Sequence, residues 1–194
     1  MGGHIDSWDV GRGAMDDAGG VVACISALHT IQKLGYIPRR TIRVIAWVDE
    51  ENTGAGAKAY FHSLSEHQLS NHILAIESDI GVFSPTGFTY THDATNGQKE
   101  FLQSILFDFM SELGSDVGMH ISEGEGGADT SILHEEGNVP VTELRTDNSR
   151  YFWYHHTVAD TIDKLSPTEL SDCVAALGIL TYVVADYEVP FNKL

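Results

Sequence analysis

Residues 41–48 read Thr-Ile-Arg-Val-Ile-Ala-Trp-Val and run straight into Asp49, Glu50 and Glu51. β-Branched and apolar side chains dominate the run, which is long and apolar enough for a central strand. A second run, Ile73-Leu74-Ala75-Ile76, ends the same way, in Glu77, Ser78 and Asp79. Strands that each deliver an acid at their carboxyl end are what an open α/β sheet needs to build a site in its crevice. The expected fold class is therefore α/β.

The helices fall between these strands. Val21, Val22, Ile25, Leu28 and Ile31 give an apolar face after Asp16-Asp17, either of which can cap that helix, and Gly35 and Pro38 end it. Further helices are expected from Gly54 to about Phe61, over 130–136, and from Ser166-Pro167 to about Tyr187. Residues 100–113 form an amphipathic pattern with Phe101, Ile105, Phe109 and Leu113 on one face. Residues 88–92 alternate like a half-exposed strand, and 140–144 read as another. With 194 residues, 42% of them apolar, one domain with a real core is the expectation.

A net charge of -17 and a pI near 4.7 argue against nucleic acid or an anionic membrane as partner. No apolar run reaches the roughly 18 residues of a spanning helix. The chain opens on Met1-Gly2-Gly3-His4, with no signal peptide read there. Cys24 and Cys173 both fall in helical patterns, so buried free thiols are expected rather than a bridge.

Two adjacent carboxylates at the mouth of a strand can divide labour, one binding a metal and the other handling protons. Partners for Glu50 and Glu51 stand elsewhere, as His4, Asp16, Asp79 and His156. Glycines before His4 allow close backbone approach, and Asp6 can orient its ring. Asp16-Asp17 reads equally as an N-cap, and one Asp can cap while its neighbour points at a metal. The segment Tyr151-Phe152-Trp153-Tyr154-His155-His156 reads as an aromatic core loop or as a ligand loop, with Asp160 beyond it available to orient His156. Each feature is ordinary alone. Together they read as a two-metal hydrolase site.

Their order along the chain says more than any one of them. It runs Gly2-Gly3-His4-Ile5-Asp6-Ser7, Gly13-Ala14-Met15-Asp16-Asp17, Glu50-Glu51 after a strand, Glu77-Ser78-Asp79 after another, then His155-His156-Thr157 in an aromatic loop. On these motifs the chain resembles the co-catalytic zinc exopeptidases, the family of bacterial leucyl aminopeptidases and glutamate carboxypeptidase. The resemblance implies a three-layer α/β/α sandwich around a mixed, mostly parallel sheet, and two zinc ions as cofactors. It implies His4 and Asp79 on one zinc, Glu51 and His156 on the other, and Asp16 bridging them. Glu50 would be the general base, Asp6 would hold the His4 ring, and Asp17 would support or cap. Small peptides with free termini are the implied partners, a homodimer is compatible, and the implied location is extracellular or lysosomal. The aromatic loop would shape a side-chain pocket, and Arg145 or Arg150 would meet a substrate carboxylate.

Members of that family carry several strands ahead of the Gly-Gly-His motif and usually an inserted lid-like or protease-associated domain. Residues 1–194 are therefore expected to be the C-terminal portion of a catalytic domain, its N-terminal strands missing and the 41–48 strand short of neighbours. Two other readings remain open at this level. One is an inactive remnant of the same fold; the other is a single-zinc acyltransferase of glutaminyl cyclase type. A set of five ligands argues against the latter, and metal content separates the former.

Overall fold

The computed structural model describes residues 1–113 and 119–194, the side chains of 109–113 excepted. Six strands form one sheet: β1 (Gly2–His4), β2 (Ile45–Trp47), β3 (Ala75–Glu77), β4 (Pro85–Tyr90), β5 (His120–Glu123) and β6 (Val141–Thr146), in the order β2-β1-β3-β6-β4-β5. Neighbours run parallel except β4 and β6, which are antiparallel. The helices are α1 (Gly19–Lys33), α2 (Ala55–Ser63), α3 (Glu66–Ser70), α4 (Asn96–Leu113), α5 (Ser131–Glu135) and α6 (Pro167–Asp186). This is the expected mixed, mostly parallel α/β sheet.

Alternation along the strands separates two cores. Ile76 and Leu144 face α1, α4 and α6, where Cys24, Ala27, Leu102, Leu177 and Leu180 are buried. Ala75 and Val141 face the other way, onto Leu133 of α5 with Tyr60, Phe61 and Leu69 from α2 and α3. The sheet is thus the middle of three layers. Leu177 is fully buried, and truncating such a side chain to alanine costs about 2–5 kcal/mol. Both cysteines are buried free thiols, as their helical setting predicts.

Several elements differ from the sequence expectation. The 41–48 run supplies only three residues of ladder, and among the described residues β2 pairs on one side alone, with β1. Arg40 explains the late start: its guanidinium donates to the carbonyls of Ala185, Tyr187 and Glu188, tying that segment to the end of α6. On α1 the buried stripe runs through Val21, Ala23, Cys24, Ala27 and Ile31, while Val22 and Ile25 are exposed. Small residues win that face because α1 lies tightly on α6, with Gly178 against Ala27. β5 and α3 were not legible as elements, although Ser65 and Gln68 form a reciprocal capping box at the start of α3. On α4, Phe101 and Ile105 pack inward as expected, and Phe109 and Leu113 lie outside the described side chains. By length and composition α6 is apolar enough to cross a membrane, yet its Cys173, Leu177, Leu180 and Val184 lie in the core against α1 and the sheet.

Candidate metal centre

The carboxyl ends of β1, β2 and β3 open on one crevice. His4 closes β1, Glu50 and Glu51 follow β2, and Asp79 follows β3. A single wide turn, Ala14–Ala18, brings Asp16 there ahead of α1, and the loop after β6 brings His155 and His156. Two glycines let these parts approach. A Cβ on Gly3 would collide with Asp17 Oδ2, and one on Gly20 with the Ser78 carbonyl.

His4 is buried, with 1% of its surface exposed. Its Nε2 lies 3.1 Å from Asp16 Oδ1, 3.2 Å from Asp79 Oδ1 and 3.9 Å from Glu50 Oε2. On the far side of the ring, Nδ1 meets the Asp6 main-chain carbonyl at 3.0 Å. A carbonyl can only accept, so Nδ1 carries the proton, and in the neutral ring Nε2 keeps its lone pair for a metal. His156 Nε2 lies 2.8 Å from Glu51 Oε2, and both His155 and His156 place Nε2 at 3.6 Å from Asp16 Oδ2. Asp16 therefore has one oxygen toward His4 and the other toward the two later histidines.

The donor atoms fall into two groups that share Asp16: His4 with Asp16 and Asp79, and Asp16 with His155 and His156. Asp16 Oδ2, Glu51 Oε1 and Asp79 Oδ1 are buried without a hydrogen bond. Asp79 Oδ1 lies 3.2 Å from Nε2 without meeting hydrogen-bond geometry. Buried carboxylate oxygens without donors call for a cation. The set of imidazole and carboxylate donors suits a divalent transition metal on each side of Asp16.

The frame holding these donors is built from carboxylates that accept main-chain N–H groups. Asp6 accepts from Glu50 and Glu51 at 3.2 and 3.3 Å. Asp17 accepts from His4 and from Gly20 in the first turn of α1, both at 3.1 Å, so it supports and caps while Asp16 faces the crevice. The peptide bond joining Asp16 to Asp17 is cis. Asp160 accepts from Met15 and Asp16 at 2.6 and 3.2 Å. Asp160 thus fixes the Asp16 turn rather than the His156 ring that its sequence position suggested. Asp6 likewise meets the His4 ring through its carbonyl, its carboxylate lying 3.7 Å from Nδ1.

The electrostatics of these side chains follow from their crowding. Burial alone would lower the His4 pKa, but Asp16 and Asp79 outweigh it and push the imidazole up to about 12. Burial pushes Asp79 up to about 7, against the opposing pull of His4. It also raises Glu50, which His4 partly offsets. Asp16 moves down, because its hydrogen bond and charge contacts with histidines outweigh desolvation.

His156 adopts a left-handed backbone, φ 59°, and its ring is sandwiched at 4.3 Å from Trp8 and 3.6 Å from His155. Phe152 and Trp153, just before it in the chain, are 71% and 65% exposed, and the Phe152 ring meets that of His155 edge-on. Arg145 and Arg150 are engaged elsewhere, at 2.7 Å from Glu143 and 2.7 Å from Glu169. Sequence reasoning missed two residues. His155 was read only as part of the aromatic loop, and Asp129 only as the end of a glycine-rich loop. Asp129 is buried, neither of its oxygens has a partner, and burial followed by the charge of Glu50 pushes it up to about 7.

Residues 1–180 match the family model of peptidase family M28. The chain belongs to peptidase family M28. Within that family it is 39% identical to carboxypeptidase Q of Homo sapiens over 187 residues, which is 96% of this chain and 38% of the relative. The Xenopus laevis carboxypeptidase Q gives the same identity over 186 residues, again 38% of its length. Among solved structures, a peptidase M28 precursor from Shewanella amazonensis superposes with a TM-score of 0.85 at 34% identity, covering 97% of this chain and 41% of that one. A zinc aminopeptidase from Bacillus subtilis shares the fold, with a TM-score of 0.73 at 18% identity over 100% of this chain and 47% of that one. The chain thus spans 38% of the length of these carboxypeptidase Q relatives, and the family supports a metallopeptidase.

Proposed function

We propose that this crevice is a dinuclear zinc centre that hydrolyses dipeptides or other small peptides with free termini. One observation carries the reading: the two oxygens of buried Asp16 face two separate sets of donors. His4 and Asp79 would hold one zinc, Glu51 and His156 the other, and Asp16 would bridge them. Bound there, such a pair lowers the pKa of a shared water and polarises the scissile carbonyl. A single-zinc acyltransferase has no use for both sets, which disfavours that alternative. The zinc aminopeptidase from Bacillus subtilis supports the choice of metal by analogy.

Glu50 stands next to Glu51 in the chain, and its Oε2 lies 3.9 Å from His4 Nε2. It takes the proton of the attacking water and returns it to the leaving amine. The Asp6 carboxylate keeps this residue in place by accepting the Glu50 and Glu51 N–H groups. The exposed Phe152 and Trp153 receive substrate side chains. The likeness to carboxypeptidase Q supports a peptidase working outside the cell or in a lysosome-like compartment.

The test is metal content and dipeptide hydrolysis of the purified protein, with and without Glu50→Gln. The expected result is about two zinc per chain in both proteins, and a fall in turnover of about 10²–10⁴-fold in the variant. Unchanged turnover would remove Glu50 as base. Absence of zinc at neutral pH would favour the inactive remnant.

A further inference from the structure

Four carboxylates in this crevice use both oxygens on main-chain N–H groups. Asp6 holds Glu50 and Glu51, Asp17 holds His4 and Gly20, and Asp160 holds Met15 and Asp16. The fourth, Glu77, accepts from Asp129 at 3.1 Å and from Thr130 at 2.7 Å. A Cβ on Gly127, whose φ is +99°, would collide with the Glu77 carboxyl, so the loop is shaped around this contact. The first three carboxylates each fix a residue of the metal or proton machinery. By the same device Glu77 fixes Asp129, which so far has no task.

The Asp129 side chain is 1% exposed, and neither oxygen has a hydrogen-bond partner among the described residues. The charged groups whose fields reach it are Glu50, His4, Asp79, Asp6 and Glu77. It belongs to neither group of converging metal donors. Among the described residues no lysine or arginine forms an ion pair with it. A clamped, buried carboxylate with two unused oxygens is built for a cation that arrives from outside. Lacking co-ligands, it does not suit a further metal. Its place identifies a better occupant: Glu77, which holds it, ends β3 two residues before Asp79, at the edge on which the crevice opens. Glu50 acts at the scissile bond, and the α-nitrogen of the residue being cleaved is separated from that carbonyl carbon only by Cα.

We propose that Asp129 binds the free α-ammonium group of the peptide, making it the residue that selects substrates with an unblocked amino terminus. This rests on the peptidase reading, and the experiment separates the two. Hydrolysis of an unblocked dipeptide and of its N-acetyl derivative would be compared in the wild type, Asp129→Asn and Asp129→Glu, with zinc content as a control. Binding of both peptides would also be measured by calorimetry in the Glu50→Gln protein, with and without Asp129→Asn.

Asp129→Asn is expected to lower kcat/KM for the unblocked peptide about 10–100-fold, mainly through KM, as loss of a charge-assisted hydrogen bond does. The acetylated peptide should respond less than about twofold, zinc content should not change, and Asp129→Glu should restore part of the loss. Calorimetry should show the same selective weakening. Equal losses on both peptides, or no loss on the unblocked one, would overturn the proposal while leaving the peptidase standing. A protein that turns over neither peptide, yet loses its preference for the unblocked one on Asp129→Asn, would sink the peptidase and keep the amine site.

Discussion

The two halves of the crevice are built by different means. His4 and Asp79 stand at the ends of paired strands, and His4 is 1% exposed with its main chain held by Asp17. His156 sits on a loop, is 34% exposed, takes a positive φ and is steadied by rings stacked on both its faces. Sheet hydrogen bonds preorganise the first half, while stacking organises the second. Asp16 belongs to both, because Asp160 grips the main chain on which it sits. The His4 half is enclosed by the sheet, and the exposed His156 half is the door to solvent.

Removing what the halves share is the most severe test. Asp16→Ala should release both metals together and abolish dipeptide hydrolysis, measured by metal analysis on the purified variant. His156→Ala should release only the metal of the exposed half. If Asp16→Ala lost a single metal, the halves would be independent sites and the bridge would go.

The same contrast governs what the sequence could reveal. Glu50, Glu51 and Asp79 stood out as candidates because apolar runs ending in acids mark strand ends, and strand ends in a parallel sheet share one edge. His4 stood out instead through the glycines before it and Asp6 beyond. The supporting carboxylates were harder to read. Asp160 looked like a partner for the nearby His156, yet its true partners are the Met15 and Asp16 amides, far away in sequence. Asp129 was hidden because nothing local says that Glu77 will bond its amide across the crevice. The stripe on α1 was misassigned for a related reason. Large residues give the stronger pattern in sequence, but close packing on α6 favours Ala23, Cys24 and Ala27. Long-range partners decide all three cases, and spacing along the chain does not encode them.

A smaller effect, on stability, sharpens the account of the enclosed half. In chelator-treated protein burial raises the folded pKa values of Glu50, Asp17, Glu77, Asp79 and Asp129 above their ordinary ones, the last two each to about 7. Asp16 and Asp79 push His4 up to about 12. A raised value means the folded state holds the proton more tightly, so each group's contribution is present at low pH and fades as pH rises. For Asp79 and Asp129 the loss runs from about pH 4 to 7, and for His4 it begins near pH 6.5. Asp16, shifted down, matters only at lower pH. The metal-free protein should therefore have a lower thermal midpoint at pH 8 than at pH 5. Saturating zinc should flatten or reverse that slope, since cations replace the protons. A metal-free protein more stable at pH 8 would mean that the carboxylates are not crowded as described.

The smallest effect probes the door itself. Trp8 is 39% exposed and makes no hydrogen bond through its side chain among those described, so its stacking on His156 at 4.3 Å is its main contribution to the site. Such an aromatic pair is worth about 0.5–1.5 kcal/mol, which corresponds to a factor of about 2–10. Trp8→Ala should weaken one metal by that factor in a competition with a chromogenic chelator and leave the other unaffected, because Trp8 stacks on His156 while His4 lies on strand β1. Release would become visibly two-step, the exposed half first. The left-handed backbone at His156 strengthens the expectation: without Trp8 the residue loses one of the contacts that steady it in that sparsely populated conformation. If Trp8→Ala weakened both metals equally, the stack would be acting through Asp16, and the two halves would be one mechanical unit.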